Sequence, residues 1–175
     1  MKAIKGILFV LTGLFIMVTL ISLLMPSKVM MVRTQSMRSS GDSVFKYISD
    51  LSRWSAWHPV FGQEGITVSY SSPSHGKGAS ASWTSNGKDN KLEVLSDSAH
   101  VFRARLTRSR ENPVDYIVSV TPMNNPSEVQ VEWKAVIKLS WYPWEKFSGM
   151  LIDKMTGPGY EEALRRLRDL CEQKS

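Results

Sequence analysis

The sequence predicts an α+β protein. A curved antiparallel sheet of about seven strands wraps around one long C-terminal helix, and a single membrane-crossing helix precedes it. Three observations predict this. Residues 6–25, GILFVLTGLFIMVTLISLLM, carry no charge. From residue 66 to 139 the apolar residues alternate with a period of two, the pattern of antiparallel strands with one buried face. Residues 145–172 return to a helical period.

The apolar segment sets where the chain sits. At ~1.5 Å per residue, twenty residues are about long enough to cross a hydrocarbon core of roughly 30 Å. Its polar residues are Thr12, Thr19 and Ser22, whose hydroxyls can bond back to helix carbonyls. A buried soluble helix would show a polar face, and this one has none. A cleaved secretory signal has an apolar core of about 7–15 residues followed by a small-x-small site. Here the core runs on to Leu23-Leu24-Met25-Pro26-Ser27-Lys28 without one. The expectation is an uncleaved, single-pass N-terminal anchor over residues 1–27, with residues 28–175 forming one domain. Lys2 and Lys5 before the span nearly balance Lys28, Arg33 and Arg38 after it, so the positive-inside rule is close to a tie. A short tail before a signal-like segment stays in the cytoplasm, which puts the domain on the periplasmic side.

Pro26 stops the span, and residues 29–38 read as a first strand. Asp42 or Ser43 can cap a helix carrying Val44, Phe45, Tyr47 and Ile48. Asp50-Leu51-Ser52-Arg53-Trp54 opens a second short helix that ends before Pro59. Strands follow at Ile66–Tyr70, Ala79–Thr84, Leu92–Val94, Phe102–Thr107, Val114–Val120 and Val129–Ser140. Turn residues separate them, Ser-Asn-Gly-Lys-Asp-Asn and Met-Asn-Asn-Pro-Ser among them. In the last helix Phe147, Met150, Leu151 and Met155 share one face, and Tyr160, Leu164, Leu167 and Cys171 another. Pro158, between Gly157 and Gly159, is expected to kink or break this helix.

Composition narrows the function. The net charge is +6 and no acidic residue precedes Asp42, so the juxtamembrane segment suits anionic head groups. No nucleic-acid module is present. One cysteine, Cys171, allows no internal disulfide. Three scattered histidines and one cysteine do not make a metal site, and no cofactor motif appears. There is no G-x-S-x-G, and Ser43-Val44-Phe45-Lys46 lies in a helix with its own reason to pack.

The element order and several short motifs resemble the START-like (SRPBCC) superfamily, in particular its polyketide cyclase/dehydrase and lipid-transport group. The matching stretches begin with Ser43-Val44-Phe45-Lys46-Tyr47-Ile48-Ser49-Asp50-Leu51 and Trp54-Ser55-Ala56-Trp57-His58-Pro59. Gly76-Lys77-Gly78 with Trp83, then Val131-Glu132-Trp133, follow. The tail Met155-Thr156-Gly157-Pro158-Gly159-Tyr160-Glu161-Glu162-Ala163-Leu164-Arg165-Arg166-Leu167 completes the set. Ala163 stands where the group usually has glycine. The resemblance covers residues 28–172 and implies a helix-grip fold with a hydrophobic pocket. It does not decide catalysis, because the superfamily holds binders and enzymes.

The aromatic residues support a pocket better than any polar residue supports a reaction. Trp57, Tyr70, Trp83, Phe102, Tyr116, Trp133 and Trp141 are expected to face inward, each burying about 150–250 Å². Met150 and Met155 would supply an adaptable wall. A filled core without a cavity is the alternative. His58 is the tempting general base, but no acid lies at a telling spacing. His75 and His100 read as exposed. The reading is a non-catalytic, membrane-anchored domain for a hydrophobic or lipid-like small molecule. Two alternatives remain open. One is a cyclase- or dehydrase-type enzyme using His58 or a pocket tyrosine. The other is an envelope interaction module with an exposed apolar patch around Trp141, Pro143 and Trp144.

Overall fold

A computed structural model describes residues 2–125 and 127–173. Pro126, in one of the expected turns, and both extreme ends lie outside that range. Helix α1 (Lys2–Leu23) leads into strand β1 (Lys28–Arg38). Helix α2 (Gly41–Ser49) and a 3-10 helix (Leu51–Ala56) follow. Then come β2 (Val68–Tyr70), β3 (Ser80–Ser85), β4 (Lys88–Ser98), β5 (Val101–Arg108), β6 (Val114–Pro122), β7 (Glu128–Lys138) and helix α3 (Pro143–Glu172).

The seven strands form one antiparallel sheet in the order β1-β7-β6-β5-β4-β3-β2. The first two strands therefore close opposite edges. The chain crosses between those edges through α2 and the 3-10 helix. Ser40 caps α2, its hydroxyl accepting from the Ser43 amide at 3.3 Å, so the helix starts earlier than Asp42 or Ser43 would set it. Asp50 caps the 3-10 helix, accepting from the Ser52 amide and hydroxyl. Trp54 and Trp57 then swing into the core and donate back to the carbonyls of Ile48 and Tyr47. These two bonds satisfy buried indole N–H groups and lock the crossing segment onto α2.

Helix α3 lies along the β1 edge of the sheet. In its second half Ala163, Leu164, Leu167 and Cys171 are buried, the helical spacing that one face requires. In its first half the covered residues are different: Pro143, Lys146 and Gly149. Gly149 permits this close approach. A Cβ there would stand 2.5 Å from Leu139 Cδ1 and 3.2 Å from Val29 Cγ2.

The helix runs unbroken through Pro158, where the sequence predicts a kink or break. Proline removes one helical hydrogen bond and crowds the preceding turn. Tertiary contacts bridge the position here. Arg33 on β1 reaches both sides of the proline, with Nη2 2.9 Å from Asp153 Oδ1 and Nε 2.6 Å from Glu161 Oε1. Gly157 leaves room for that guanidinium, since a Cβ would overlap Arg33 Nη2.

Candidate functional site

The inward face of the sheet is ordered by strand register. Trp83 pairs with Asn90, and Asn90 with Arg108, near one end. One row deeper run Ala81, Leu92, Leu106 and Val114. Deeper again, Ala104 and Ala135 flank Tyr116. Because α3 covers the β1 side, the β3–β6 end is roofed instead by the 3-10 helix and the loop after it. The loop residues His58, Val60 and Phe61 stand over Leu92, Leu106 and Tyr116 with space between the layers.

That space is a cavity of about 260 Å³. Trp54, Phe61, Trp83, Leu92 and Leu106, with Val60 from the loop, form its apolar side, and Ser85, Asn86 and Asn90 lie on its polar side. His58 and Tyr116 present polar edges inside it, and Lys88, Arg108 and Glu111 stand among its lining residues. Glu111 takes Lys88 at 2.7 Å and Arg108 at 3.3 Å. The Lys88 hydrogen bond comes first among the causes that hold its carboxyl below the usual range; burial opposes this. Two cations therefore share one carboxylate there. A second cavity of about 320 Å³ lies under the first half of α3, lined by Ile137, Leu139 and Ile152, and it shares Arg108 and Glu111 with the first.

His58 is stacked against Trp54 at 5.3 Å between ring centroids and meets Phe61 edge-on at 5.1 Å. Its Nδ1 accepts from the Val60 amide at 3.3 Å, which assigns the proton of the neutral ring to Nε2. Burial, then the charges of Arg108 and Arg166, push its pKa down to about 3. The ring is neutral throughout the physiological range. Tyr116 is the mirror case. Burial, with Tyr160 3.3 Å away between hydroxyl oxygens, raises the phenol well above its ordinary value.

Two of the aromatic residues expected to form the pocket line this cavity, Trp83 and Tyr116. Trp57, Phe102 and Trp133 are fully buried in an aromatic layer with Trp54, whose centroid lies 5.0, 5.7 and 5.8 Å from theirs. The Trp133 indole N–H is buried there without a hydrogen-bond partner. Tyr70 is half-buried on the edge strand β2. Trp141, in the turn before α3, is 59 % exposed, and Met150 and Met155 are 61 % and 78 % exposed because the other face of α3 meets the sheet. Trp54, Phe61, Leu92, Leu106 and Arg108 were not singled out from sequence as pocket residues. Leu92 and Leu106 had an available signal: both share the inward parity of their strands. Among the described residues no three His, Cys, Asp or Glu side chains gather as a metal ligand set.

Solved structures share this fold. A START superfamily protein from Mycobacterium smegmatis superposes with a TM-score of 0.62 at 14 % identity, covering 84 % of this chain and 99 % of its own. The Zhui aromatase/cyclase from Streptomyces sp. R1128 gives 0.63 at 12 % identity, covering 84 % and 95 %. Norcoclaurine synthase from Thalictrum flavum gives 0.61 at 14 % identity, covering 85 % and 97 %. At such identities the likeness is one of fold alone. No curated protein matches the chain by sequence. The profile of the family described as polyketide cyclase / dehydrase and lipid transport matches residues 30–172, nearly the whole of the sheet and α3. The chain belongs to that family, and its helix-grip sheet is the family's scaffold.

Proposed function

We propose that this chain is a membrane-anchored domain that binds a compact hydrophobic small molecule bearing an anionic or polar end, without transforming it. The cavity between the sheet and the His58–Phe61 loop carries this reading. Scaling from benzene in a cavity of about 150 Å³, its volume suits roughly ten non-hydrogen atoms. That is a small aromatic or short acyl body, or one end of a longer lipid-like molecule whose remainder leaves through the mouth. Apolar walls with a few convergent polar groups are the general form of such sites. Lys88 and Arg108 outnumber Glu111 and favour an anionic end.

The titration of the polar pair supports binding over catalysis. Proton transfer is efficient when the catalytic pKa lies near the working pH. With a pKa of about 3, His58 is too weak a base for that role, and the raised Tyr116 phenol too weak an acid. Anchoring rests on α1, a helix long and apolar enough to cross a membrane with its surface exposed along Ala3–Met17.

The test uses the full chain in mild detergent, with 2-naphthoate and its uncharged amide as probes. Both are expected to quench the tryptophan fluorescence of Trp54 and Trp83 saturably. Arg108→Gln is expected to weaken the carboxylate about tenfold, the size of a lost charge-assisted hydrogen bond, and to leave the amide nearly unchanged. Leu106→Trp, which fills the cavity, is expected to abolish both. Absence of saturable quenching in the parent chain, or undiminished binding to Leu106→Trp, overturns the reading.

A further inference from the structure

We propose that residues 141–155, the start of α3 and the turn before it, lie in the headgroup region of the bilayer that α1 crosses and form a second membrane contact. The inference rests on the anchoring reading of α1. Four observations on different elements carry it.

Helix α1 is covered only at its end. From Ala3 to Met17 every residue is exposed, whereas Val18, Thr19 and Met25 are half-buried and Ser22 is buried. The element α1 packs on is α3. Six helical residues, Val18 to Leu23, at ~1.5 Å each set that overlap at about 9 Å of depth, within the depth at which interfacial helices settle.

The exit of the span is also tied to α3. The Lys146 ammonium donates to Ser27 Oγ at 2.7 Å and to the carbonyls of Pro26 and Met25 at 3.2 and 3.4 Å. The bonds set the membrane exit beside the first turn of α3.

The free face of this half-helix is apolar. Trp144, Phe147, Met150, Leu151 and Met155 are all exposed, and the Trp144, Phe147, Leu151, Met155 spacing makes one stripe. Tyr142 stacks on Trp144 at 5.0 Å and 8°, with Trp141 against it at 4.8 Å. Trp and Tyr clustered beside the end of a span are the side chains that settle at a membrane–water boundary. An apolar stripe of this kind in water has no compensating contact.

The charges around the stripe agree with lipid. Lys28 and Lys138 face each other across β1 and β7, both exposed, at the end of the sheet next to the span. Exposed Lys154 lies on the stripe itself, where a long stem can snorkel to the headgroups. The nearby acids are engaged: Glu145 with Asn112 and the Ser140 amide, and Asp153 with Arg33. Anionic lipid is therefore favoured over an acidic protein surface or a second copy.

The test is site-directed spin labelling of the full chain in protein-free vesicles of phosphatidylcholine and phosphatidylglycerol. Labels go at Trp144→Cys and Met155→Cys, with Leu14→Cys in the span and Lys91→Cys on the outer sheet face as references. Collision with oxygen, which partitions into lipid, is compared with collision with a water-soluble nickel chelate. The oxygen-to-nickel ratio at 144 and 155 is expected to exceed that at 91 several-fold and to approach that at 14. If 144 and 155 match 91 while 14 reports lipid, the second contact is overturned and the anchor stands. If 14 also matches 91, the anchoring reading fails first. If 144 and 155 are shielded from both reagents, a second copy covers the stripe and the proposal is overturned.

Discussion

Acidifying the folded chain below pH 6.5 is expected to cost up to about 1.4 kcal/mol of stability per pH unit through His58 alone. The side chain takes up no proton in the native state until about pH 3, whereas in the unfolded chain it titrates near 6.5. Between those values the unfolded state binds the extra proton, so stability falls as pH falls. Above 6.5 both states are neutral and the effect vanishes. At pH 4.5 the loss amounts to at most roughly 3 kcal/mol, since the half-buried ring borders the cavity, against the 5–15 kcal/mol typical of a domain. His58→Asn keeps an oxygen for the Val60 amide and cannot ionise. Urea unfolding in mild detergent, followed by tryptophan fluorescence, is expected to show a smaller drop between pH 7 and 4.5 for the variant by up to that amount. Parallel pH profiles for the two chains would mean that His58 is open to water.

Trp54→Ala is expected to destabilise the chain by about 3–5 kcal/mol, the range for emptying a large aromatic site. The indole touches five other rings, those of Trp57, His58, Phe61, Phe102 and Trp133, with centroids 5.0–5.8 Å away. Its N–H also holds the Ile48 carbonyl at 2.9 Å. Trp54→Phe restores most of the volume but not that bond, and is expected to cost about 1–2 kcal/mol. The same unfolding measurement separates the two. A loss below about 1 kcal/mol for the alanine variant would show that the aromatic layer and the cavity roof are not one packed unit.

The strands were legible because a period of two survives in almost every one. Val129, Val131, Trp133 and Ala135 are buried as that alternation requires. The cavity was less legible because its walls depend on register between strands. Trp83, Asn90 and Arg108 meet only after three strands align, and the shift between Val94 and Ser96 leaves no mark in the sequence. In α3 two apolar faces compete, and periodicity cannot say which the sheet covers. The small residues Gly149 and Gly157 mark the covered side. An inward Trp141 and a pocket wall of Met150 and Met155 follow from residue type and helix face, but the structure exposes all three. Pro158 likewise has a local rule for breaking the helix, and the residue that bridges its two sides, Arg33, lies far away in sequence.

The most direct measurement of the central claim is native mass spectrometry of the full chain, released from detergent after purification from its membranes, before and after organic extraction. A discrete bound mass that disappears on extraction, and that is absent from the Leu106→Trp variant, is the predicted result. A bare chain mass, unchanged after incubation with membrane lipid extract and with 2-naphthoate, would contradict it.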